Sequence, residues 1–234
     1  MKRIRRVVVI AGNVGVGKST LFGSAMNDDR FLNFTFIEEP CAMIEKLITN
    51  EDHIFDDEEN RTKHLQVTIG DYMYDRLLKS IKENEDCDLF FCDRTFLDTI
   101  MFSYALGVTS EHVYQRVINR LRYLYKRYGV CFHYFPIIGV CVETIMENIC
   151  KRGREFEEVY TEDYISALNV GLISQLQLIR NARGAMVSVD KMDYIHVDDE
   201  TDHEIINEIY KETITKKLDF YVEWNNLLDN IVHF

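Results

Sequence analysis

VVVIAGNVGVGKSTLF, residues 7 to 22, decides the reading of this chain of 234 residues. Val7 to Ile10 is an apolar run of the length of a short, fully buried strand. Gly12, Gly17, Lys18 and Ser19 then keep the spacing G-x-x-x-x-G-K-[ST], and helix-forming sequence follows. The spacing has a physical reason. Glycines at 12, 15 and 17 let the backbone bend so that successive N–H groups point inward at a polyphosphate. Those amides sit at a helix N-terminus, where the dipole also favours negative charge. The run Gly12, Asn13, Val14, Gly15, Val16, Gly17, Lys18, Ser19 and Thr20 is therefore the candidate ATP-binding loop. Lys18 can reach the outer phosphates, and the Ser19 hydroxyl can ligate magnesium.

Composition narrows the rest. Hydrophobic residues make up 47% of the chain and there are two prolines, which fits one folded domain, 1–234, without a disordered linker. The net charge of −12, with no long basic tract, weighs against non-specific nucleic-acid or anionic-membrane binding. Lys2 to Arg6 is basic but runs straight into the first strand, with no signal-peptide core between. No apolar run reaches transmembrane length. The six cysteines (41, 87, 92, 131, 141 and 150) contain no C-x-x-C pair, so buried, reduced thiols in a cytoplasmic protein are expected, and no zinc site.

Along the chain, strands are expected at Phe34 to Ile37, Asp88 to Cys92, Phe135 to Val142 and Ala185 to Val189. Helical spacing marks Cys41 to Ile48, Arg61 to Glu85, Glu111 to Tyr128, Glu143 to Cys150, Thr161 to Arg183 and 201–217. A further helix should run from the third strand to about Leu106, closed by Gly107. Residues 49–60 read as an acidic loop, 151–158 as a charged mobile segment, and 219–234 as an amphipathic C-terminal extension. Five strands alternating with helices predict an α/β fold, a parallel sheet covered on both faces. Ligands in such sheets bind at the C-terminal strand ends. The glycine loop, Glu38-Glu39-Pro40, Asp93-Arg94 and the turn after Val189 all fall there.

The charged groups after the second and third strands suggest the chemistry. Glu39 is placed to accept a proton from an attacking hydroxyl. Arg94 can fix that hydroxyl or the phosphoryl in transfer, and Asp93 can hold magnesium through water. Lys151, Arg152 and Arg154 supply cations, which phosphoryl transfer needs for positioning and charge stabilisation. Singly, Glu39 and Asp93 also read as strand caps and 151–158 as a solvated face.

IAGNVGVGKST, EEP, DRT and KRGREFEE occur in the order found in the cellular and viral deoxynucleoside kinases, and the chain resembles that family over roughly residues 5 to 200. The resemblance implies a P-loop kinase fold with a lid at about 151–158. It implies ATP and magnesium as donor and metal, and a homodimer built through the long helices, with which the apolar stripe of 111–128 is compatible. It implies that Glu39 is the base for the sugar 5′-hydroxyl, that Asp93 supports magnesium and that Arg94 holds the 5′-oxygen. Arg152 and Arg154 match the lid arginines, and Glu157 the lid residue that binds the sugar 3′-hydroxyl. Asp190 to Tyr194 resembles the adenine-binding turn, with Asp193 and Tyr194 as contacts. The short N-terminus fits a compact viral member.

In the acceptor pocket the family's base-pairing glutamine falls on Gln66. Its sugar tyrosine falls on Phe55, which lacks the hydroxyl. An arginine and aspartate found in deoxycytidine kinases are replaced by Met73 and Thr99, a pattern similar to the broader pyrimidine kinases that accept thymidine and deoxycytidine. Met73 also fits the apolar stripe of its helix and reads equally as core.

Three other readings stay open. Thymidylate kinases carry arginine before the Glu-Pro pair and glycine after it; here these are Glu38 and Cys41, and an acid there would repel a phosphorylated acceptor. Asp190-Lys191-Met192-Asp193 is similar to the guanine-reading motif of regulatory GTPases, with aspartate in the place of asparagine. A binding-only homologue would be expected to lose some of Lys18, Ser19, Glu39 and Arg94, all present here.

Overall fold

β1 (Arg5–Gly12) lies at the centre of a parallel sheet in this computed structural model, which describes residues 3–49, 58–108, 111–154, 157, 160–181, 187–190, 192–193 and 204–219. The chain divides into two compact units: Met1–Lys18 with Asn33–Tyr194, and Ser19–Leu32 with Ile195–Phe234.

In the first unit β1 pairs with β3 (Leu89–Asp93), which pairs with β2 (Thr35–Ile37). On its other side β1 pairs with β4 (Val130–Ile138), which pairs with β5 (Val187–Val189). The order is 2-3-1-4-5; that all the strands are parallel is what their alternation with helices predicts. A two-residue strand that the sequence reading took for a turn, β6 (Met192–Asp193), pairs with Ile137 and Ile138 of β4. Val7 to Ala11 are fully buried, which explains why β1 shows no polar alternation.

β4 is the one strand placed several residues away from its expected position. Its apolar run is broken in the sequence by His133 and Tyr134, so the reading starts it at Phe135. Both residues are nonetheless buried, because their polar tips find partners: His133 Nδ1 lies 2.9 Å from Ser188 Oγ, and the Tyr134 hydroxyl donates to Asp98 Oδ1 at 2.9 Å. Pro136 sits inside this central strand opposite Ala11. The Tyr134 carbonyl accepts from Asp190 N at 3.0 Å, so Tyr134 and, two residues on, Pro136 face the β5 side. There β5 has ended at Val189 and β6 has not begun, so the missing proline N–H costs no ladder bond.

The helices lie close to their expected positions: α1 (Lys18–Met26), α2 (Cys41–Thr49), α3 (Glu58–Glu83), α4 (Thr99–Ala105), α5 (Glu111–Tyr128), α6 (Val142–Arg152) and α7 (Glu162–Asn181). A 3-10 turn, Phe96–Asp98, precedes α4. The stripe of α5 (Val113, Val117, Leu121, Leu124) is buried within this chain, so it is not left for a subunit contact. α6 runs two residues beyond its expected end, taking in Lys151 and Arg152. It stops only at Gly153, whose left-handed φ of 62° supplies the C-cap and whose N–H bonds Ile149 O at 3.1 Å. Cys92 and Cys131 are buried as expected, but Cys141 and Cys150 are exposed.

In the second unit α1 leads into a 3-10 turn, Asp29–Phe31, and residues 204–219 form α8. Arg30 pairs with Asp28 and Glu208 at 2.6 Å each, and Lys211 Nζ donates to Asp28 at 2.8 Å. Arg30 and Lys211 hold the Asp28 carboxyl well below the usual carboxylate range. The extension beyond residue 219 lies outside the described residues. Among the described residues no helix is long and apolar enough to cross a membrane.

Candidate active site

The glycine loop leaves β1 through Gly12, Gly15 and Gly17, all at positive φ (136°, 68° and 87°). Two of them also mark close approaches. A Cβ on Gly12 would meet Ile137 O at 2.8 Å, and one on Gly15 would meet Ile145 O at 3.1 Å. Neighbouring helices fix the loop from outside. Asn148 of α6 donates to Gly15 O at 2.8 Å, and Asn13 Nδ2 donates to Ile165 O at 3.0 Å and Asn169 Oδ1 at 2.9 Å on α7. The Asn13, Val14 and Val16 side chains are buried, so what these residues can offer a nucleotide is backbone N–H.

Lys18 Nζ donates to the Asn13 carbonyl. Burial, then nearby Arg94, lowers its pKa to about 7 against the pull of Asp93, Glu39 and Asp98. Four groups named from three separate stretches thus share one electrostatic neighbourhood. Ser19 and Thr20, in α1, are exposed.

Asp93 closes β3 beside Ile10 of β1 and is buried. Glu39 follows β2, where the Pro40 carbonyl accepts from Met43 N and Ile44 N at 3.0 Å each and starts α2. Arg94 Nε lies 2.9 Å from Glu39 Oε1; the arginine side chain is 2% exposed and the glutamate 18%. Arg94 has φ 63°, the only positive value at a non-glycine residue among those described. Strain of this kind persists only where surroundings over-determine it. Here the Arg94 N–H donates to Ile10 O at 3.2 Å and the guanidinium sits 5.1 Å above the Phe102 ring.

Sequence reasoning missed what stands behind Arg94. Asp98, 1% exposed, accepts the Thr95 N–H at 2.8 Å and the Tyr134 hydroxyl, and Gln175 Nε2 donates to that hydroxyl at 2.5 Å. Thr95 to Asp98 is a capping box, and its T-x-x-D spacing was a usable signal.

In the stretch expected to form a lid, Glu157 is buried and held by Arg152: Nη2 donates at 2.5 and 2.6 Å, and Nε at 3.0 Å. Arg154 Nη1 lies 3.7 Å from Glu157 Oε1 and also donates to Cys41 Sγ at 3.7 Å. The Cys41 thiol in turn points at Glu39 Oε2, 3.5 Å away. Tyr160 belongs to this neighbourhood and was also missed; burial, then Glu157, raise its pKa to about 12.

On α3, Gln66 and Met73 are buried on the face that carries Ile69 and Leu77. Thr99 meets that helix between them: a Cβ on Gly70 would touch Thr99 Cγ2 at 3.1 Å. The Thr99 hydroxyl is spent on Phe96 O at 2.7 Å. Phe55 and Tyr194 lie outside the described residues, and Asp193 lies in β6.

The model of the deoxynucleoside kinase family matches residues 8–215. The chain belongs to the deoxynucleoside kinase family. It is a kinase that phosphorylates nucleosides from a nucleotide donor. No curated protein matches it. Among solved structures, this kinase is similar in fold to deoxyadenosine kinase from M. mycoides. The form with products dCMP and a flexible dCDP bound has 21% identity and a TM-score of 0.58, covering 90% of this chain and 99% of that one. The form with bound dATP has 20% identity and a TM-score of 0.54, covering 88% and 98%.

Proposed function

We propose that this kinase transfers the γ-phosphoryl group of ATP to the 5′-hydroxyl of a deoxynucleoside, with pyrimidines favoured. The observation that carries the reading is the Glu39–Arg94 pair, 2.9 Å apart at the C-terminal edge of the sheet and in the field of Lys18. Glu39 takes the hydroxyl proton while the sugar oxygen bonds to phosphorus and the bond to the leaving diphosphate breaks. Arg94 orients the attacking oxygen. Lys18, Arg152 and Arg154 stabilise charge on the group in transfer.

The residues fit a magnesium nucleotide. The carboxylate of Asp93 and, by the motif's spacing, the Ser19 hydroxyl are hard oxygen donors of the kind magnesium takes. When bound, the ion neutralises phosphate charge. Lys18, half-deprotonated near neutrality by burial, regains its charge beside a polyphosphate.

The base preference rests on what α3 and α4 lack. Met73 and Thr99 put no charge beside Gln66, and Thr99 has already committed its hydroxyl. The M. mycoides enzyme, named for deoxyadenosine, has been solved with dCMP, dATP and dCTP, so a purine acceptor is the natural competitor. The family match spans both compact units, which supports one kinase domain over 1–234. For the homodimer, Val170 and Ile173 of α7, 48% and 56% exposed at i, i+3 spacing, are the surface we assign.

Turnover with thymidine, deoxycytidine, deoxyadenosine, deoxyguanosine and thymidine monophosphate tests these points together. A preferred pyrimidine supports the pocket reading, and a preferred purine overturns it. Turnover with the monophosphate alone makes the protein a thymidylate kinase.

A further inference from the structure

Arg94 is held from both sides by carboxylates of different exposure. Glu39 meets it from the site, and Asp98 stands behind it with Oδ1 4.0 Å from Nη1. We propose that Asp98 is the positioning residue for Arg94, and that Tyr134 and Gln175 fix Asp98 in turn. The inference rests on the kinase reading of Glu39 and Arg94.

Asp98 acts through two bonds. Oδ2 accepts the Thr95 N–H at 2.8 Å, which closes the turn immediately after Arg94 and holds the backbone that carries φ 63°. Without that bond the turn is free to relax, and relaxation would swing the arginine away from Glu39. Oδ1 accepts the Tyr134 hydroxyl at 2.9 Å on the central strand β4, and that hydroxyl accepts from Gln175 of α7 at 2.5 Å. Asp98, Tyr134 and Gln175 are all within 1% of complete burial, so none of these bonds competes with water. A carboxylate buried in this way is retained at a cost, and a side chain 1% exposed has no role in solubility. What it does have is contact with the one strained non-glycine residue described, which is also the residue that touches the proposed base. Tyr134 extends the hold to the strand on the far side of β1, so Arg94 is referenced to the rigid sheet and not only to its own loop.

Asp98→Asn and Tyr134→Phe test the proposal, each measured in two ways. Turnover gives kcat and KM for the preferred deoxynucleoside, beside the Kd for ATP. Side-chain ¹⁵N NMR gives solvent exchange at Arg94 Nε–H. Expected is a fall in kcat of about tenfold to a hundredfold for Asp98→Asn, as for a reacting group displaced by about 1 Å, and a smaller fall for Tyr134→Phe. ATP binding should stay within about twofold, and Arg94 Nε–H exchange should rise about tenfold or more. A general loosening of the fold would weaken ATP binding as well. Unchanged kcat and unchanged Arg94 exchange in both variants overturn the proposal, as does a loss of ATP binding equal to the loss of turnover. If Asp98→Asn does not fold, Tyr134→Phe, which keeps the charge, decides by the same two readouts. If the wild type turns over no acceptor, the kinase reading fails, and the exchange measurement alone decides whether Asp98 holds Arg94.

Discussion

Arg152 and Glu157 are locked to each other, with Nη2 2.5 and 2.6 Å from the two carboxylate oxygens. The family resemblance gives these residues different partners, a phosphoryl group for one and a sugar hydroxyl for the other. In this structure each occupies the other, and Glu157 is buried while Arg152 is the last residue of α6. On the proposed roles of these two residues, binding of both substrates would exchange this ion pair for two new contacts and so couple the acceptor and donor sites.

Glu157→Gln frees Arg152 and removes the proposed sugar contact. KM for the deoxynucleoside should rise about tenfold, the worth of one charge-assisted hydrogen bond, while the Kd for ATP holds or tightens. A variant with unchanged acceptor KM would show that Glu157 serves only as the counterion of Arg152.

Glu39→Gln keeps the shape of the site and removes the proposed base. We expect kcat to fall by about 10²- to 10⁴-fold with ATP binding retained, read by single-turnover kinetics and calorimetry. Turnover within about tenfold of wild type would assign the proton elsewhere.

Lys18 falls from its ordinary 10.5 to about 7 through burial. Unfolding releases it to bind a proton throughout that window, so its contribution to stability is present above 10.5 and is lost as pH falls to about 7. A polyphosphate reverses the shift. ATP binding at pH 8 should take up most of one proton, measured by calorimetry in buffers of different ionisation enthalpy, and Lys18→Met should abolish the uptake.

His133 is lowered to about 4 by burial, with Arg6 adding to the effect. Its neutral form is favoured in the fold, so its contribution is complete above 6.5 and is lost as pH falls towards 4, by roughly 3 kcal/mol in all. Chemical denaturation between these pH values should show that slope, and His133→Gln should flatten it.

Much of the molecule is legible in its residues. The glycine loop, five parallel strands alternating with helices and the bounds of α5 follow from spacing and periodicity, which are local. So does the convergence of Glu39, Asp93 and Arg94, because parallel strands bring their C-terminal ends to one edge. β4 was misplaced because periodicity sees a polar residue as an interruption, whereas His133 and Tyr134 are buried by partners distant in sequence, Ser188 and Asp98.

Residue type and spacing alone thus settled the fold class, the glycine loop after β1 and the carboxylates at the strand ends. Only the tertiary structure decided that Arg94 is strained, that Arg152 and Glu157 hold each other, that Asn13 anchors the loop to α7, and that Asp98 stands behind the site. Hydrogen bonds and burial between distant segments leave no periodic trace in the sequence, because their energy depends on desolvation and geometry that exist only once the sheet has brought those segments together.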